Sequence, residues 1–311
     1  MTDRAYLVTG GAGFIGSAIA AALLERGDKV RVLDNLSGGR QEAVPDGAEF
    51  IEGDLRSPDD VARACSGVDT VFHQAAIRSV PRSVDEPRQT NDSNVTGTLN
   101  LLMAATDAQV RRVVYASSSS VYGDTGREVN REDMTPSPRS PYAVSKLAGE
   151  HYCRAWSILG RLWTVSLRYF NVFGPGQALD SRYAAVFPAF VSALAGGRAP
   201  EVHGDGEQTR DFTYVGDVVR ANLLAADADD RANGMTLNVG GGHPRSVNGV
   251  LKAIADAMGC WVDPVFIEPR PGDIRDTEAD IGRAHDLLGW EPRADFTEAV
   301  AATVSWFTEE R

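Results

Sequence analysis

Short apolar runs alternate with longer amphipathic segments over the first half of the chain. The apolar runs predict strands over residues 5–9, 29–34, 49–52, 70–73, 112–117 and 162–169. The segments between them predict helices over residues 14–26, 59–65, 90–108 and 141–159. Strands that alternate with helices over short connections are typical of α/β proteins with a parallel, doubly wound sheet. We therefore predict a Rossmann-type sheet with helices on both faces.

The pattern loosens beyond residue 170, where glycine and proline become frequent. Helices are still predicted over residues 184–195, 217–226, 247–258 and 296–307. We predict a nucleotide-binding domain over residues 1–170 and a smaller α/β substrate-binding region over residues 171–311. A later segment, about residues 211–240, is expected to return to the first domain.

Composition and charge argue against several classes of function. The 311 residues carry a formal net charge of −12, which leaves no long basic stripe for a nucleic acid. The longest apolar run, residues 18–24, is too short to span a bilayer, and the first residues lack the pattern of a signal peptide. The 3 cysteines form no CxxC motif and the 5 histidines no HExxH motif. We expect a cytoplasmic protein with no metal, no membrane and no nucleic-acid partner.

A glycine-rich turn follows the first predicted strand and opens the first predicted helix. Its sequence is GGAGFIG over residues 10–16. In such a turn Gly10 permits the tight bend, Gly13 lets the backbone approach a pyrophosphate, and Gly16 allows close packing of helix and strand. The helix N-terminus adds amide donors and a favourable dipole for phosphates. We predict a dinucleotide site at Gly10, Gly13, Phe14, Ile15 and Gly16.

Two acidic residues follow the next strands. Asp34 ends the second predicted strand, 18 residues after Gly16. A carboxylate there accepts hydrogen bonds from ribose hydroxyls and repels a 2′-phosphate, which favours NAD over NADP. Asp54 follows the third predicted strand, where it either meets the adenine or caps a loop, and the residues alone leave both readings open.

A tyrosine and a lysine share one face of a predicted helix. Ser140 and Pro141 suit the N-cap and the first helical position, so Tyr142 and Lys146 lie one turn apart. A nearby ammonium lowers the pKa of a tyrosine and makes the phenolate a usable base. The chain has only 3 lysines among 31 lysines and arginines. Lys146 therefore looks retained for chemistry, and Lys146→Arg is expected to cost activity.

A run of serines, residues 117–120, follows the fifth predicted strand. It lies at the carboxyl edge of the sheet, where ligands bind in such folds. A hydroxyl there can share a substrate proton with Tyr142.

Short motifs occur in a fixed order along nearly the whole chain and resemble those of extended short-chain dehydrogenase/reductases, specifically the nucleotide-sugar 4-epimerases. They are GGAGFIGS at 10–17, DN at 34–35, HQAA at 73–76, SSSSVYG at 117–123, SPYAVSK at 140–146, LRYFNVFG at 167–174, RDF at 210–212 and RPGD at 270–273. The resemblance implies bound NAD and a homodimer that forms through the helices predicted over 90–108 and 141–159. The cofactor residues that it implies, beyond the glycine turn, are Asp34, Asn35, Asp54, Leu55, Gln74, Ala75, Ala76, Asn94, Tyr142 and Lys146.

The resemblance also implies the chemistry. The Tyr142 phenolate takes the proton of the sugar 4-hydroxyl while C4 gives its hydride to the nicotinamide. Ser118 hydrogen-bonds the same oxygen, and Lys146 holds the nicotinamide ribose and tunes Tyr142. The 4-keto sugar then turns over and receives the hydride on its other face. The substrate residues implied are Arg78, Ser79, Ser118, Ser119, Ser120 and Thr277 toward the sugar, and Asn171, Arg210, Arg270 and Asp273 toward the uridine diphosphate.

Departures from related patterns narrow the choice. Where this chain has Ser118, Ser119 and Ser120, sugar 4,6-dehydratases carry Thr-Asp-Glu and uronic acid decarboxylases carry a Glu at the last position. The lack of carboxyl groups here favours an epimerase. The resemblance implies that Thr277 falls where these epimerases place a gate residue beside the sugar C2 group, and a small residue there admits an N-acetyl group. Residues 79–83 and 183–186 also resemble epimerases of N-acetylhexosamines. We expect turnover of UDP-GlcNAc/UDP-GalNAc, of UDP-Glc/UDP-Gal, or of both.

Two alternatives stay open. One is a UDP-glucuronate 4-epimerase, although the arginine that can face the carboxylate is replaced by Ala178, and Arg78 or Arg182 would have to substitute. The other is a non-catalytic NAD-binding regulator. The presence of Ser118, Tyr142 and Lys146 together argues against it.

Overall fold

Seven parallel strands form the central sheet of the protein. The computed structural model describes residues 4–126, 128–178, 186–269 and 274–309. The strands are β1 (Ala5–Thr9), β2 (Lys29–Asp34), β3 (Glu49–Glu52), β4 (Thr70–His73), β5 (Arg112–Ser118), β6 (Trp163–Tyr169), β7 (Val172–Phe173), β8 (Glu201–His203), β9 (Thr209–Arg210), β10 (Thr213–Tyr214), β11 (Thr236–Val239), β12 (Arg245–Ser246) and β13 (Val265–Ile267). The α-helices are α1 (Phe14–Glu25), α2 (Pro58–Cys65), α3 (Val80–Asp85), α4 (Pro87–Asn91), α5 (Gly97–Asp107), α6 (Pro141–Ile158), α7 (Val186–Ala195), α8 (Val215–Asp227), α9 (Val247–Met258), α10 (Gly282–Leu288) and α11 (Phe296–Glu309).

The order of the sheet is β11-β6-β5-β4-β1-β2-β3, and all neighbouring strands in it are parallel. The chain runs outward from β1 to β3 and then returns to place β4 on the other side of β1. This reversal opens a crevice at the carboxyl ends of β1 and β4, where ligands bind in doubly wound sheets. The predicted fold class, a parallel doubly wound sheet, is confirmed.

Alternate residues of β1 supply two separate hydrophobic cores, because successive side chains of a strand point to opposite faces. Tyr6 and Val8 lie in one core and Leu7 in the other, and each is at most 1% exposed. A third core lies in the later part of the chain, where Phe173 and Phe187 stack with ring centroids 4.2 Å apart. The sheet therefore sits between two cores, with the third under the later segments.

Two later segments pack on the sheet layer. Strand β11 pairs with β6, and helix α8 contributes Val218 to the core that holds Val8. The residue after α10 and its C-cap, Trp290, is fully buried in the same core and donates its indole N–H to Asp217 O at 3.0 Å. The domain division at residue 170 stays a prediction, with α8, β11 and α10 as the segments that pack on the first unit.

The prediction of a single helix over residues 90–108 is wrong. Helix α4 ends at Asn91, a π-helical turn covers Asp92–Thr96, and α5 begins at Gly97. The wider turn carries the Asn94 side chain inward, where its amide bonds both backbone polar groups of Ile77. The hydrogen bonds of Asn94 to Ile77 compensate for the irregular turn. The spacing of apolar residues along the sequence gives no sign of this turn.

Two short helices were not predicted from the sequence. Helix α3 buries only Ser83, so it shows no apolar period. Helix α10 has seven residues and buries Ala284 and Leu288. The other boundaries differ by at most two residues where the structure describes them, and the start of the helix predicted over 184–195 lies outside the described residues.

No described helix is both long and apolar enough to cross a membrane. Among the described residues, no three His, Cys, Asp or Glu side chains cluster as metal ligands would. The cysteines are free, with Cys65 and Cys153 buried and Cys260 exposed.

Candidate active site

The glycine-rich turn joins β1 to α1 at the crevice. Gly10 has a φ of +70°, and a Cβ built on it would lie 2.7 Å from the backbone of Ala75. A Cβ on Gly16 would overlap the carbonyl of Gly10, whose oxygen accepts the Gly13 N–H at 3.1 Å. The turn thus requires glycine at Gly10 and Gly16 to bring the strand, the helix and the loop after β4 together.

The start of α1 is suited to a phosphate. Gly13 is the N-cap and offers no side-chain oxygen to the first turn, so the amides of Phe14, Ile15 and Gly16 keep their hydrogen-bonding capacity. Amides at a helix N-terminus bind anions through direct donation and the helix dipole. These residues fit the pyrophosphate of a dinucleotide.

Asp34 ends β2 beside this turn. Its carboxylate accepts the Ala12 N–H at 3.0 Å and the Leu36 N–H at 2.8 Å. Because each carboxylate oxygen has two lone pairs, both can accept a further hydrogen bond. Asp34 is therefore fixed in position and able to accept from the two hydroxyls of a ribose.

Asp54 does not cap α2. The cap of α2 is Ser57, whose Oγ accepts the Asp60 N–H, whereas Asp54 accepts the Arg56 N–H at 2.8 Å and so caps the loop before the helix. The Asp54 carboxylate accepts from Asn35 Nδ2 at 2.8 Å and from Arg56, whose guanidinium holds the pKa of Asp54 well below its ordinary value. Asp54 stays ionised at the same sheet edge as Asp34.

The loop after β4 is fixed by polar contacts. Gln74 donates to the Tyr169 hydroxyl at 3.1 Å, and the Ala75 N–H donates to Thr9 Oγ1 at 3.3 Å. Asn94, 1% exposed, also donates to Ser145 Oγ at 2.9 Å. The contacts of Asn94 tie the loop around Ala76 to helix α6. Leu55 is buried against Gly97 at the start of α5.

Tyr142 lies in the first turn of α6, which Ser140 caps by accepting the Ala143 N–H at 3.1 Å. Burial raises the pKa of Tyr142 above its ordinary value, while the Ser118 hydroxyl and the charge of Arg78 lower it. Ser118 accepts from Ser120 through both the backbone N–H and the hydroxyl, at 3.2 and 2.9 Å. Because Ser118 is the acceptor in both bonds, its own proton can be donated to the Tyr142 oxygen.

Lys146 is 3% exposed and donates its ammonium to Ala116 O at 2.8 Å. Burial lowers the pKa of Lys146 to about 8, opposed by the negative charge of Glu150. Among the described residues, the cation that lowers the pKa of Tyr142 is Arg78 rather than Lys146. Arg78 lies 64 residues before Tyr142, and no helical spacing links the two, so the sequence pattern does not reveal their interaction.

Three predicted substrate residues gather around the backbone of Asp211. Asn171, whose φ is +24°, donates from Nδ2 to Asp211 O at 3.1 Å. The Asp211 N–H donates to Thr277 Oγ1 at 3.4 Å, and Arg210 precedes Asp211 in the chain. The Arg210 guanidinium donates to Thr209 O and Arg275 O, both at 2.9 Å. The structure thus brings Asn171, Arg210 and Thr277 together.

Asp211 itself was not singled out from the sequence. It is fully buried and accepts the Gly241 N–H at 2.5 Å and the Ala279 N–H at 3.0 Å, and burial raises its pKa to about 6. A buried carboxylate bound to backbone amides holds segments rather than a ligand. Its only sequence signal is its place between Arg210 and Phe212 in a motif.

Of the remaining predicted residues, some lie within the described part of the chain and others do not. Ser79 caps α3 by accepting the Arg82 N–H at 3.2 Å, and Ser119 is half-buried in the turn between Ser118 and Ser120. Arg270 and Asp273, and Arg182 with the segment 183–185, lie outside the described residues.

A buried ion pair behind Lys146 was also missed. Arg168 and Glu150, 3% and 5% exposed, form two hydrogen bonds at 2.7 and 2.8 Å. Ser117 donates to the same carboxylate at 2.5 Å. The pair links β6 to the helix that carries Lys146, and the Ser117 bond adds β5, the strand that carries Ser118. Its partners are 18 residues apart, a spacing that no local pattern reveals.

This fold and site define an extended short-chain dehydrogenase/reductase. The glycine turn ends β1, Asp34 ends β2, and Ser118, Tyr142 and Lys146 meet where β5 ends beside α6. The sequence model of the NAD dependent epimerase/dehydratase family matches residues 6–240, and the chain belongs to this family. The predictions of an enzyme and of NAD as its cofactor are confirmed.

Three similar proteins show the range of the family around this chain. The chain is 40% identical to a UDP-glucose 4-epimerase of Mycolicibacterium smegmatis, with 97% of each sequence covered. The UDP-N-acetylglucosamine 4-epimerase of Methanobrevibacter ruminantium M1, solved with UDP-N-acetylmuramic acid, is 39% identical over 100% of both chains with a TM-score of 0.95. The UDP-glucuronic acid 4-epimerase of Bacillus cereus, solved with UDP-glucuronic acid and NAD, is 30% identical over 99% of this chain and 100% of that one, with a TM-score of 0.91.

Proposed function

We propose that the protein is an NAD-dependent UDP-sugar 4-epimerase that inverts C4 of UDP-GlcNAc/UDP-GalNAc, of UDP-Glc/UDP-Gal, or of both. One observation carries the proposal: Tyr142, with the Ser118 hydroxyl beside it, stands at the edge of the sheet that also carries the glycine turn. The names of the similar epimerases support it.

The cofactor is proposed to lie across the crevice between β1 and β4. The amides at the start of α1 would hold the pyrophosphate, and Asp34 the adenosine ribose. Lys146 would hold the nicotinamide ribose. When bound, NAD supplies a hydride acceptor for C4 and later returns the hydride.

The residues at the end of β5 are proposed to move the proton. The Tyr142 oxygen, as phenolate, takes the proton of the sugar 4-hydroxyl as the C4–H bond breaks and the C4=O bond forms. Ser118 donates a hydrogen bond to the same sugar oxygen. In the second half of the cycle Tyr142 returns the proton after the 4-keto sugar has presented its other face.

The absence of carboxyl groups at positions 118–120 supports epimerisation over elimination. The three serines offer hydroxyls and no general acid of the strength that removal of water requires. The short Thr277 side chain, next to Arg210 and Asp211, supports acceptance of an N-acetyl group.

A UDP-glucuronate 4-epimerase is the second candidate. The observation that favours it is the charge of Arg78, which acts on Tyr142 and could pair with a sugar carboxylate. The name of the Bacillus cereus enzyme supports it as well.

Incubation with each sugar separately tests the proposal. The protein is supplied with UDP-Glc, UDP-GlcNAc or UDP-GlcA without added NAD, and the products are resolved by chromatography. Formation of UDP-GalNAc or UDP-Gal is expected. Conversion of UDP-GlcA alone would favour the second candidate, and no conversion of any sugar, even with NAD added, would overturn both.

We further propose a cytoplasmic homodimer. Met103 on α5 and Val144 on α6 are 53% and 54% exposed, and a partner copy would cover them. Free cysteines suit a reducing compartment. Sedimentation equilibrium should give twice the chain mass of 33.4 kDa.

A further inference from the structure

Two hydroxyl groups stand at either end of one short turn after β5. Ser118 begins the turn, which covers Ser119–Tyr122, and Tyr122 ends it. Tyr122 is 2% exposed, and its hydroxyl donates to Asn238 Oδ1 at 2.6 Å. The Tyr122 hydroxyl therefore points away from solvent, toward β11.

Asn238 connects the Tyr122 hydroxyl to the segment that contains Thr277. Its side-chain amide donates to Asn130 O at 2.8 Å and to Asp280 O at 2.9 Å. Asn238 is fully buried, so water cannot reach its side chain to replace these hydrogen bonds. The side chain is thus a bridge from β11 to two neighbouring segments.

Asn130 lies directly against the same segment. Its N–H donates to Glu278 O at 2.8 Å, and its carbonyl accepts the Asp280 N–H at 3.0 Å. On the opposite side, the Thr277 N–H donates to Thr209 O at 3.2 Å. Residues 276–280 are therefore held between strand β9 and the Tyr122–Asn238–Asn130 contacts.

Tyr122 is itself fixed to the catalytic strand and helix. The Arg168 guanidinium lies 4.5 Å from the centre of the Tyr122 ring. Arg168 pairs with Glu150 on α6, and Glu150 accepts from Ser117, the neighbour of Ser118. A continuous set of buried contacts thus runs from the Ser118 strand to the Thr277 segment.

We propose that Tyr122 is a positioning residue for substrate selection, whose hydroxyl sets the place of Thr277 relative to Ser118. The proposal rests on the proposed function for its substrates. An acetyl group at C2 would contact the Thr277 segment, whereas a hydroxyl would leave that space open. Loosening the segment should therefore weaken binding of the acetylated sugar more than that of its hydroxyl counterpart.

The test uses Tyr122→Phe, which keeps the ring beside Arg168 and removes only the hydroxyl. Tyr6→Phe is the matched control, because Tyr6 is also buried and its hydroxyl accepts from Arg26, outside the contacts of Tyr122. Hydrogen exchange of residues 274–281 should be about five- to tenfold faster in Tyr122→Phe and unchanged in Tyr6→Phe. Unchanged exchange in Tyr122→Phe would overturn the proposal.

Kinetics then test selection. In Tyr122→Phe the KM for UDP-GlcNAc should rise about three- to tenfold relative to that for UDP-Glc, with kcat within about twofold of wild type. Equal losses for both sugars would indicate a purely structural role and overturn the assignment. If wild type converts no UDP-sugar, the proposed function fails, and the exchange result still decides whether Tyr122 holds the segment. Should Tyr122→Phe not fold, Asn130→Ala, which removes the side-chain bond to Glu278 O, should give the same faster exchange.

Discussion

The reactivity of the site is concentrated in one oxygen, that of Tyr142. Its burial favours the neutral phenol, while the Ser118 hydroxyl and the Arg78 charge favour the phenolate. Lys146 donates to Ala116 O of β5, the strand that carries Ser118. The Tyr142 base therefore depends on two residues outside its own helix, Ser118 at the end of β5 and Arg78 after β4.

Removal of the Tyr142 hydroxyl should abolish the proton transfer and leave the cofactor site intact. We expect Tyr142→Phe to lower kcat by about 10²- to 10⁴-fold, the range for loss of a general base. The dissociation constant for NAD, measured by calorimetry, should change little. Near-normal turnover would exclude Tyr142 from the mechanism.

The lowered pKa of Lys146 should make the free energy of unfolding depend on pH. Folding lowers its pKa from 10.5 to about 8, so the unfolded chain binds more protons between these values. The free energy of unfolding should therefore rise with pH from about 8 to 10.5, by up to about 3 kcal/mol, and this gain is lost as the pH falls through 8.

Urea unfolding at a series of pH values checks this, with Lys146→Met as the comparison. The wild-type curve should climb relative to that of the variant over this window. Parallel curves would contradict the lowered pKa.

Thr277 is the residue that should decide the sugar. Thr277→Tyr adds bulk beside Arg210, and we expect the ratio of kcat/KM for UDP-GlcNAc over UDP-Glc to fall at least about tenfold. Thr277→Ser is the matched control, since it keeps the hydroxyl that accepts the Asp211 N–H. An unchanged ratio in Thr277→Tyr would refute the gate.

The elements that build the cofactor site follow local sequence rules, and the sequence predicted them well. The glycine turn and the capped start of α6 depend on neighbouring residues, such as Ser140 for the helix that carries Tyr142. The π-helical turn at Asp92–Thr96 escaped prediction, because it depends on the contact between Asn94 and Ile77, 17 residues away.

The junction of β1 and α1 should be intolerant of a single added methyl group. In Gly16→Ala the Cβ would overlap the Gly10 carbonyl, so the turn must shift. We expect a loss of about 1–3 kcal/mol in unfolding free energy and at least about tenfold weaker NAD binding.

Gly38→Ala serves as the control, because a Cβ there would meet nothing within 4 Å. Thermal unfolding and calorimetry with NAD would separate the two variants. Equal behaviour would mean that close packing at Gly16 is not required.

On the scale of the whole molecule, six of the seven strands of the sheet and later helices such as α9 could be predicted, whereas β11 and the contacts that assemble the later region could not. The strands of the sheet are apolar runs that the sequence shows directly, such as β1 and β4. The substrate end is assembled by contacts between distant residues: Asp211 bonds Gly241 and Ala279, which lie 30 and 68 residues away. No local pattern encodes these contacts, so only resemblance to known motifs pointed to Arg210 and Thr277.

The most direct test of the central claim is the fate of the hydrogen on C4. The protein is incubated with UDP-GlcNAc and with UDP-Glc in deuterated water, and the products are followed by proton NMR. We expect the C4 epimer with protium retained at C4, because the hydrogen that leaves as hydride is the one that returns. Deuterium at C4, or no C4 epimer from either sugar, would contradict the account.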